Sequence, residues 1–231
     1  MYTEKHMDNS LKAQKIKAII FDLDGTLADT VEAIAEAVNL TMEHFGYKTH
    51  SCDEVRRAVG NGARMLIKRC MPEPDSFDDE KVSHVLSHYD DMYRQTYIHT
   101  DRCYDGVREA VIKLAESGFK VAILSNKQNE YVKALAKILF PSDIISIAQG
   151  QTDLPIKPDP TVPLMIAERL GVSPEECAFV GDSDVDVMTA HNAGMVQLGV
   201  SWGFRSKEVL LSAGATDIAD TPEQMLNFFI Q

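Results

Sequence analysis

Five short apolar runs punctuate the chain: Lys17 to Phe21 (KAIIF), Val121 to Leu124, Ile144 to Ala148, Ala178 to Val180 and Val196 to Val200. Each is too short for a helix, and helical periodicity or turn residues separate it from the next. Apolar residues at consecutive positions bury both faces of a strand, which is the habit of a parallel sheet covered by helices. Strand alternating with helix makes the fold class α/β, with a parallel sheet. Ligands of such sheets bind beyond the carboxyl ends of the strands, so chemistry is expected just after each run.

The interval between the first and second runs holds about three helical patterns where one crossover helix would suffice. An all-helical domain is therefore expected to be inserted there. Its first helix is expected to start at Asp29 or Thr30, with Asp29 and Glu32 as a capping box, and to run to about Phe45 before Gly46. A glycine turn, VGNGA at Val59 to Ala63, leads into a helix through Cys70. Pro72 and Pro74 break it, and a long helix follows from about Asp78 to Tyr97. The reading divides the chain into a core of residues 1–28 and 104–231, with 1–14 a polar lead-in, and an insertion of residues 29–103.

With 35 acidic against 23 basic residues the formal charge is -12, which would repel a nucleic-acid backbone and excludes that class of partner. An anionic substrate would need local positive charge from lysine, backbone NH groups or a bound cation. Cys52, Cys70, Cys103 and Cys177 show no C-x-x-C spacing and read as reduced thiols. No window approaches the roughly 18 apolar residues of a membrane span, and Met1 to Lys15 lacks a signal-peptide apolar core. A cytoplasmic monomer or homodimer without membrane contact is the expectation.

Asp22 and Asp24 stand two apart at the mouth of the first run, in DLDGT. Converging carboxylates repel, and a divalent cation would offset that, leaving one as nucleophile and the other to shuttle a proton to the leaving group. Taken alone, D-x-D-G-T also suits a solvated loop. The second run ends in LSN, where Ser125 is placed to donate to a phosphate oxygen or to cap a helix. Lys157, in IKPDP, either neutralises phosphate and orders Asp22 or is a surface lysine. The fourth run ends in VGDSDVD, putting Asp182 just past a strand, with Asp184 and Asp186 entering a helix.

Together, in this order and each at an expected strand end, DLDGT at Asp22 to Thr26, Ser125, Lys157 and GDSDVD at Gly181 to Asp186 resemble the four motifs of the haloacid dehalogenase superfamily. The resemblance implies a Rossmann-like core with a helical cap over the site, hinged near Asp29 and near His99 to Tyr104. It implies Asp22 as nucleophile and metal ligand, and Asp24 as general acid and base with its backbone carbonyl on the metal. Asp182 is implied as a further ligand, Asp186 as a supporting group, and Thr26 and Asn126, neighbours of these residues, as substrate contacts. Hard oxygen ligands and a phosphate substrate fit Mg2+. An acid at Asp24 favours phosphoester chemistry over dehalogenation or phosphonate hydrolysis within that superfamily.

The segment Val59 to Arg69 (VGNGARMLIKR) and the region from Gly199 to Thr216 are similar to bacterial phosphoglycolate phosphatases. On that similarity Gly60, Asn61, Gly62 and Arg64 are expected to meet the organic end of a small phosphorylated metabolite, 2-phosphoglycolate first among them. The alternative at Gly60 to Gly62 is a plain turn between helices. Pyrophosphatase, sugar-phosphate phosphatase and phosphoglucomutase are rivals on the same fold, and a catalytically silent binding protein is a rival of another class. His84 and His88, spaced i, i+4, read as a solvated helix face because no third ligand is in sight. Met65, Met71 and Met92 read as packing; Arg205 and Lys207 could face the helical insertion or solvent, and solvent is the expectation.

Overall fold

The structure is a computed structural model that describes residues 15–100 and 102–230. The lead-in expected over 1–14 lies outside the described residues, as does Asp101 in the second expected hinge. In chain order the elements are β1 (Ala18–Phe21), α1 (Val31–His44), α2 (Cys52–Ala58), α3 (Gly62–Cys70), α4 (Asp79–Thr96), α5 (Val107–Glu116), β2 (Lys120–Gln128), α6 (Asn129–Leu139), β3 (Ile145–Gln151), α7 (Thr161–Leu170), β4 (Cys177–Gly181), α8 (Asp184–Ala193), β5 (Val196–Val200), α9 (Lys207–Ser212), β6 (Ile218–Ala219) and α10 (Pro222–Phe229).

Among the described residues the strands form one six-stranded parallel sheet in the order β3-β2-β1-β4-β5-β6. All four residues of β1 are buried because alternate side chains enter different cores. Ile19 and Phe21 pack with α5, α6 and α10 through Val111, Leu114, Val132, Leu135 and Met225. Ala18 and Ile20 pack on the other face with α7 and α8 through Ile166, Ala167 and Ala190. This double burial is why the run is apolar throughout. Chain order departs from β1 in both directions, so β1 and β4 flank the switch point where Asp22 and Asp182 emerge.

Helices α1 to α4 lie between β1 and β2 and enclose a core of their own, built on Ile34, Val38, Met42, Val55, Ile67, Val82, Tyr89 and Tyr93. Helix α2 was not among the expected patterns; its seven residues are too few to show periodicity, and a Ser51–Glu54 capping box starts it. The capping box expected at Asp29 and Glu32 does not form. Thr30 is the N-cap of α1 but its side chain caps nothing, because Oγ1 donates to Asp24 instead, while Asp29 Oδ1 accepts from Val31 N at 3.2 Å. Met71 is buried, whereas Met65 is 40% exposed and packs less than its apolar character suggested.

Two further departures concern strands. β2 runs four residues past the expected Leu124, its pairing with β3 resuming at Gln128 and Gln151 after a register shift, so Ser125, Asn126 and Lys127 lie on an irregular strand end. β6, of two residues, carries too little sequence signal to be anticipated.

Candidate active site

Asp22 follows β1 directly, and its amide donates to Val180 O at 2.9 Å, continuing the ladder toward β4. The chain then turns tightly, with the Leu23 carbonyl accepting from Leu27 N at 3.0 Å and Ala28 N at 3.1 Å. Gly25 occupies this turn at φ +89°, and a Cβ there would lie 2.5 Å from Asp182 Oδ2. Only glycine gives both the left-handed conformation and the room for that carboxylate.

Asp182 sits at the end of β4, 1% exposed. Thr26 Oγ1 donates to its Oδ1 at 3.0 Å and Phe204 N to its Oδ2 at 2.7 Å. Asp186 lies one turn into α8, its Oδ2 held by Ser183 N at 3.1 Å and Ser183 Oγ at 2.6 Å in a capping box. Lys157 Nζ donates to Asp186 Oδ1 at 2.6 Å and lies 2.8 Å from Asp22 Oδ1. That Asp22 oxygen has an ion pair but no aligned hydrogen-bond donor, although it is fully buried.

Asp22, Asp182 and Asp186 each offer a carboxylate oxygen within 4.8 Å of the others. Burial pushes the Asp22 carboxyl up to about 8, with Lys157 opposing and repulsion from Asp186 and Asp182 reinforcing the rise. Burial and Asp186 likewise push Asp182 up to about 7, against the Phe204 and Thr26 hydrogen bonds. Burial by itself would lower the Lys157 pKa, yet Asp186 and Asp22 outweigh it and hold the ammonium well above the ordinary lysine range. Three buried carboxylates facing one ammonium leave an excess of negative charge that a divalent cation would neutralise, and the hard-oxygen donor set suits such an ion.

Asp24 does not join this cluster with its side chain. Its Oδ1 accepts from Thr30 Oγ1 at 2.6 Å and from Lys127 Nζ at 2.8 Å, across the same cleft. Ser125 is buried at the cleft floor, where its Oγ accepts from Lys127 N at 3.3 Å and keeps its own proton to donate. Asn126 is used structurally: its amide brackets Lys157, accepting from Lys157 N at 2.9 Å and donating to Lys157 O at 3.0 Å, and it also reaches Gly60 O at 3.1 Å.

A cleft, partly open to solvent, lies between the strand ends and the helical insertion. Gly60 and Gly62 line it, with Ile34, Leu66, Tyr89 and Tyr93 forming an apolar and aromatic wall. Asn61 and Arg64, expected at the substrate, are turned elsewhere. Asn61 Oδ1 accepts from Arg69, and Arg64 is drawn to Ser83 and Asp79 because α4 presents acceptors on that side. Arg205, expected in solvent, instead lines the cleft and donates to the carbonyls of Arg56, Arg57 and Val59, which the carboxyl end of α2 leaves without partners. Lys207 is surface-exposed and pairs with Asp220.

Sequence reasoning missed Lys127 and the role of Thr30, and at Arg205 preferred solvent over the insertion. Lys127 had a signal, since it stands two positions after Ser125 on the same strand end. Thr30 stands six positions from Asp24, but no spacing says that its hydroxyl turns back to that carboxylate instead of capping α1; Arg205 meets Arg56 149 positions away, beyond the reach of any local signal.

Residues 19–200 match the family model described as haloacid dehalogenase-like hydrolase. A phosphoglycolate phosphatase of Psychrobacter arcticus is 30% identical over 219 residues, covering 92% of this chain and 95% of that one. One of Vibrio cholerae is 32% identical over 215 residues, covering 90% and 94%. The crystal structure of a predicted phosphoglycolate phosphatase from Haemophilus somnus 129pt superposes with a TM-score of 0.84 at 26% identity, covering 92% of this chain and 97% of that one. The chain belongs to the haloacid dehalogenase-like hydrolase family. Within that family it is an enzyme of the phosphatase class, with an acid present at Asp24.

Proposed function

We propose that the protein hydrolyses a small phosphomonoester, 2-phosphoglycolate first among them, through a phospho-Asp22 intermediate with Mg2+ as cofactor. The observation that carries the reading is the buried cluster of Asp22, Asp182 and Asp186 bridged by Lys157 at the switch point of the sheet. Asp22 and Asp182 would hold the ion, with Asp186 beside them through Lys157 and Ser183. The bound ion would supply charge neutralisation on the phosphoryl oxygens.

An Asp22 carboxylate oxygen forms a bond to phosphorus as the ester oxygen leaves, and Asp24 gives that oxygen its proton. Water then attacks the acyl phosphate; Asp24 takes its proton, and phosphate departs with Asp22 restored. Ser125 and Lys157 would bear on the transferred group's oxygens, one by hydrogen bond and the other by charge. The helical insertion, residues 29–103, acts in this reading as the cap that keeps stray water from the intermediate. The names of the relatives support 2-phosphoglycolate as the substrate. Cys70, Cys103 and Cys177, buried as free thiols, suit the reducing cytosol.

The test is magnesium-dependent phosphate release from 2-phosphoglycolate, pyrophosphate, sugar phosphates and an aryl phosphate, with Asp22→Asn as the blank. A preference of about a hundredfold for 2-phosphoglycolate supports the full reading. Even activity across the panel keeps the phosphatase and removes that substrate, and no magnesium-dependent release overturns the mechanism.

A further inference from the structure

Lys127 is a buried cation of the cleft to which the four motifs give no task. Its Nζ lies 2.8 Å from Asp24 Oδ1, with the lysine side chain 8% and the aspartate side chain 10% exposed. The same oxygen accepts from Thr30 Oγ1 at 2.6 Å. The ammonium also lies 4.7 Å from the centre of the Tyr93 ring, which the helical insertion contributes. The other cations among the residues lining the cleft are committed: Lys157 to Asp22 and Asp186, and Arg205 to carbonyls of the insertion.

This pairing conflicts with the task proposed for Asp24. A group that must exchange a proton with the leaving oxygen has one oxygen bound by a lysine and a threonine hydroxyl. Moving it away unaided would strand the Lys127 charge in a site where it has little water, and an unpaired buried charge is strongly disfavoured. A neutral organic group offers no replacement. A carboxylate does, because one of its oxygens can accept from the same ammonium and hydroxyl that hold Asp24 Oδ1, exchanging one charge-assisted pair for another.

We infer that Lys127 is a specificity-determining residue that receives a carboxylate on the substrate's organic part and thereby releases Asp24 to the leaving oxygen. The inference rests on the phosphatase reading above. It also restricts the substrate class. The incoming carboxylate takes the place that Asp24 vacates, beside the leaving oxygen, so it must lie one or two carbons from the phosphoester. Ser125 and Lys127 are two positions apart at the irregular end of β2 and line the same cleft, which suits so short a molecule. Tyr93 then helps to hold the ammonium while its carboxylate partner changes.

The experiment measures kcat/KM with magnesium for 2-phosphoglycolate and for 2-hydroxyethyl phosphate, its counterpart with an alcohol in place of the carboxylate. An aryl phosphate serves as the activity standard. The unaltered protein, Lys127→Met and Lys127→Arg are compared through the ratio of the two specificity constants. The unaltered chain is expected to favour the carboxylate substrate by about tenfold or more. Lys127→Met should bring that ratio to within about threefold of unity, and Lys127→Arg should restore part of it. A merely structural lysine would lower both constants together, so a ratio that survives in Lys127→Met overturns the inference, as does a ratio near unity in the unaltered chain. No magnesium-dependent release from any of the three esters overturns the phosphatase reading, and this inference with it.

Discussion

Arg205, on the loop after β5, donates to the backbone carbonyl of Arg56 at 2.7 Å and so ties the core to the carboxyl end of α2 in the helical insertion. The guanidinium also reaches the Arg57 and Val59 carbonyls, at the negative end of that helix. The preceding residue, Phe204, donates its amide to Asp182. One short loop thus touches both the carboxylate cluster and the element that covers it.

Removing this tie should loosen the insertion over the site. Arg205→Ala is expected to lower kcat/KM by about tenfold, on the scale of a lost charge-assisted hydrogen bond. Trp202, the single tryptophan, donates to Thr26 O at 3.0 Å on the same loop, so its fluorescence emission should shift to the red in the variant. Unchanged kinetics and emission would show that the tie is incidental.

Among the described residues Lys157 is the one ammonium facing the three buried carboxylates, and its loss leaves them unneutralised. Lys157→Met should destabilise the metal-free protein by about 3–5 kcal/mol, as removal of one partner from a buried pair does. Urea unfolding would measure it, and magnesium should recover part of the loss by supplying the missing charge.

The carboxylate cluster sets the pH dependence. Asp22 and Asp182 are raised from an ordinary 3.8 to about 8 and about 7. The folded state therefore binds protons more tightly than the unfolded chain. Their contribution is fully present below about pH 4 and is lost as pH rises through about 7 and 8. The metal-free protein should melt progressively lower across that window, other groups being equal. Magnesium, which requires the deprotonated site, should raise the melting temperature more near pH 8.5 than near pH 5.5; calorimetry at the two values decides it.

Gly25→Ala tests the turn. The new methyl would need φ near +89° and would meet Asp182 at 2.5 Å, so either the turn or the carboxylate must shift. Backbone strain of this kind costs about 1–3 kcal/mol. The expected result is lower stability together with weaker magnesium binding; a variant with unaltered metal affinity would show that the turn does not position Asp182.

Much of the site was legible because its parts occupy strand ends that the apolar runs mark. Asp22, Ser125 and Asp182 follow buried runs, and a parallel sheet carries such ends to one edge. The insertion was legible from the excess of helical pattern before Val121, though α2, β6 and the extension of β2 were not, being too short or too irregular for periodicity. Asn61 and Arg64 do not line the cleft, because the sequence at a helix start fixes where the helix begins, not which acceptors draw its side chains.

The sequence by itself determined the α/β sheet with its helical insertion and the order of acids, serine and lysine along it, since burial on both faces and periodicity are local properties of the chain. Tertiary structure alone decided that Asp24 is held by Lys127 and Thr30, that Asn126 brackets Lys157 and that Arg205 grips the insertion. The physical reason is that the two long-range partnerships, Asp24 with Lys127 and Arg205 with Arg56, join residues 103 and 149 positions apart. Hydrogen-bond and ion-pair energies depend on distance and direction in space, which no spacing along the chain encodes.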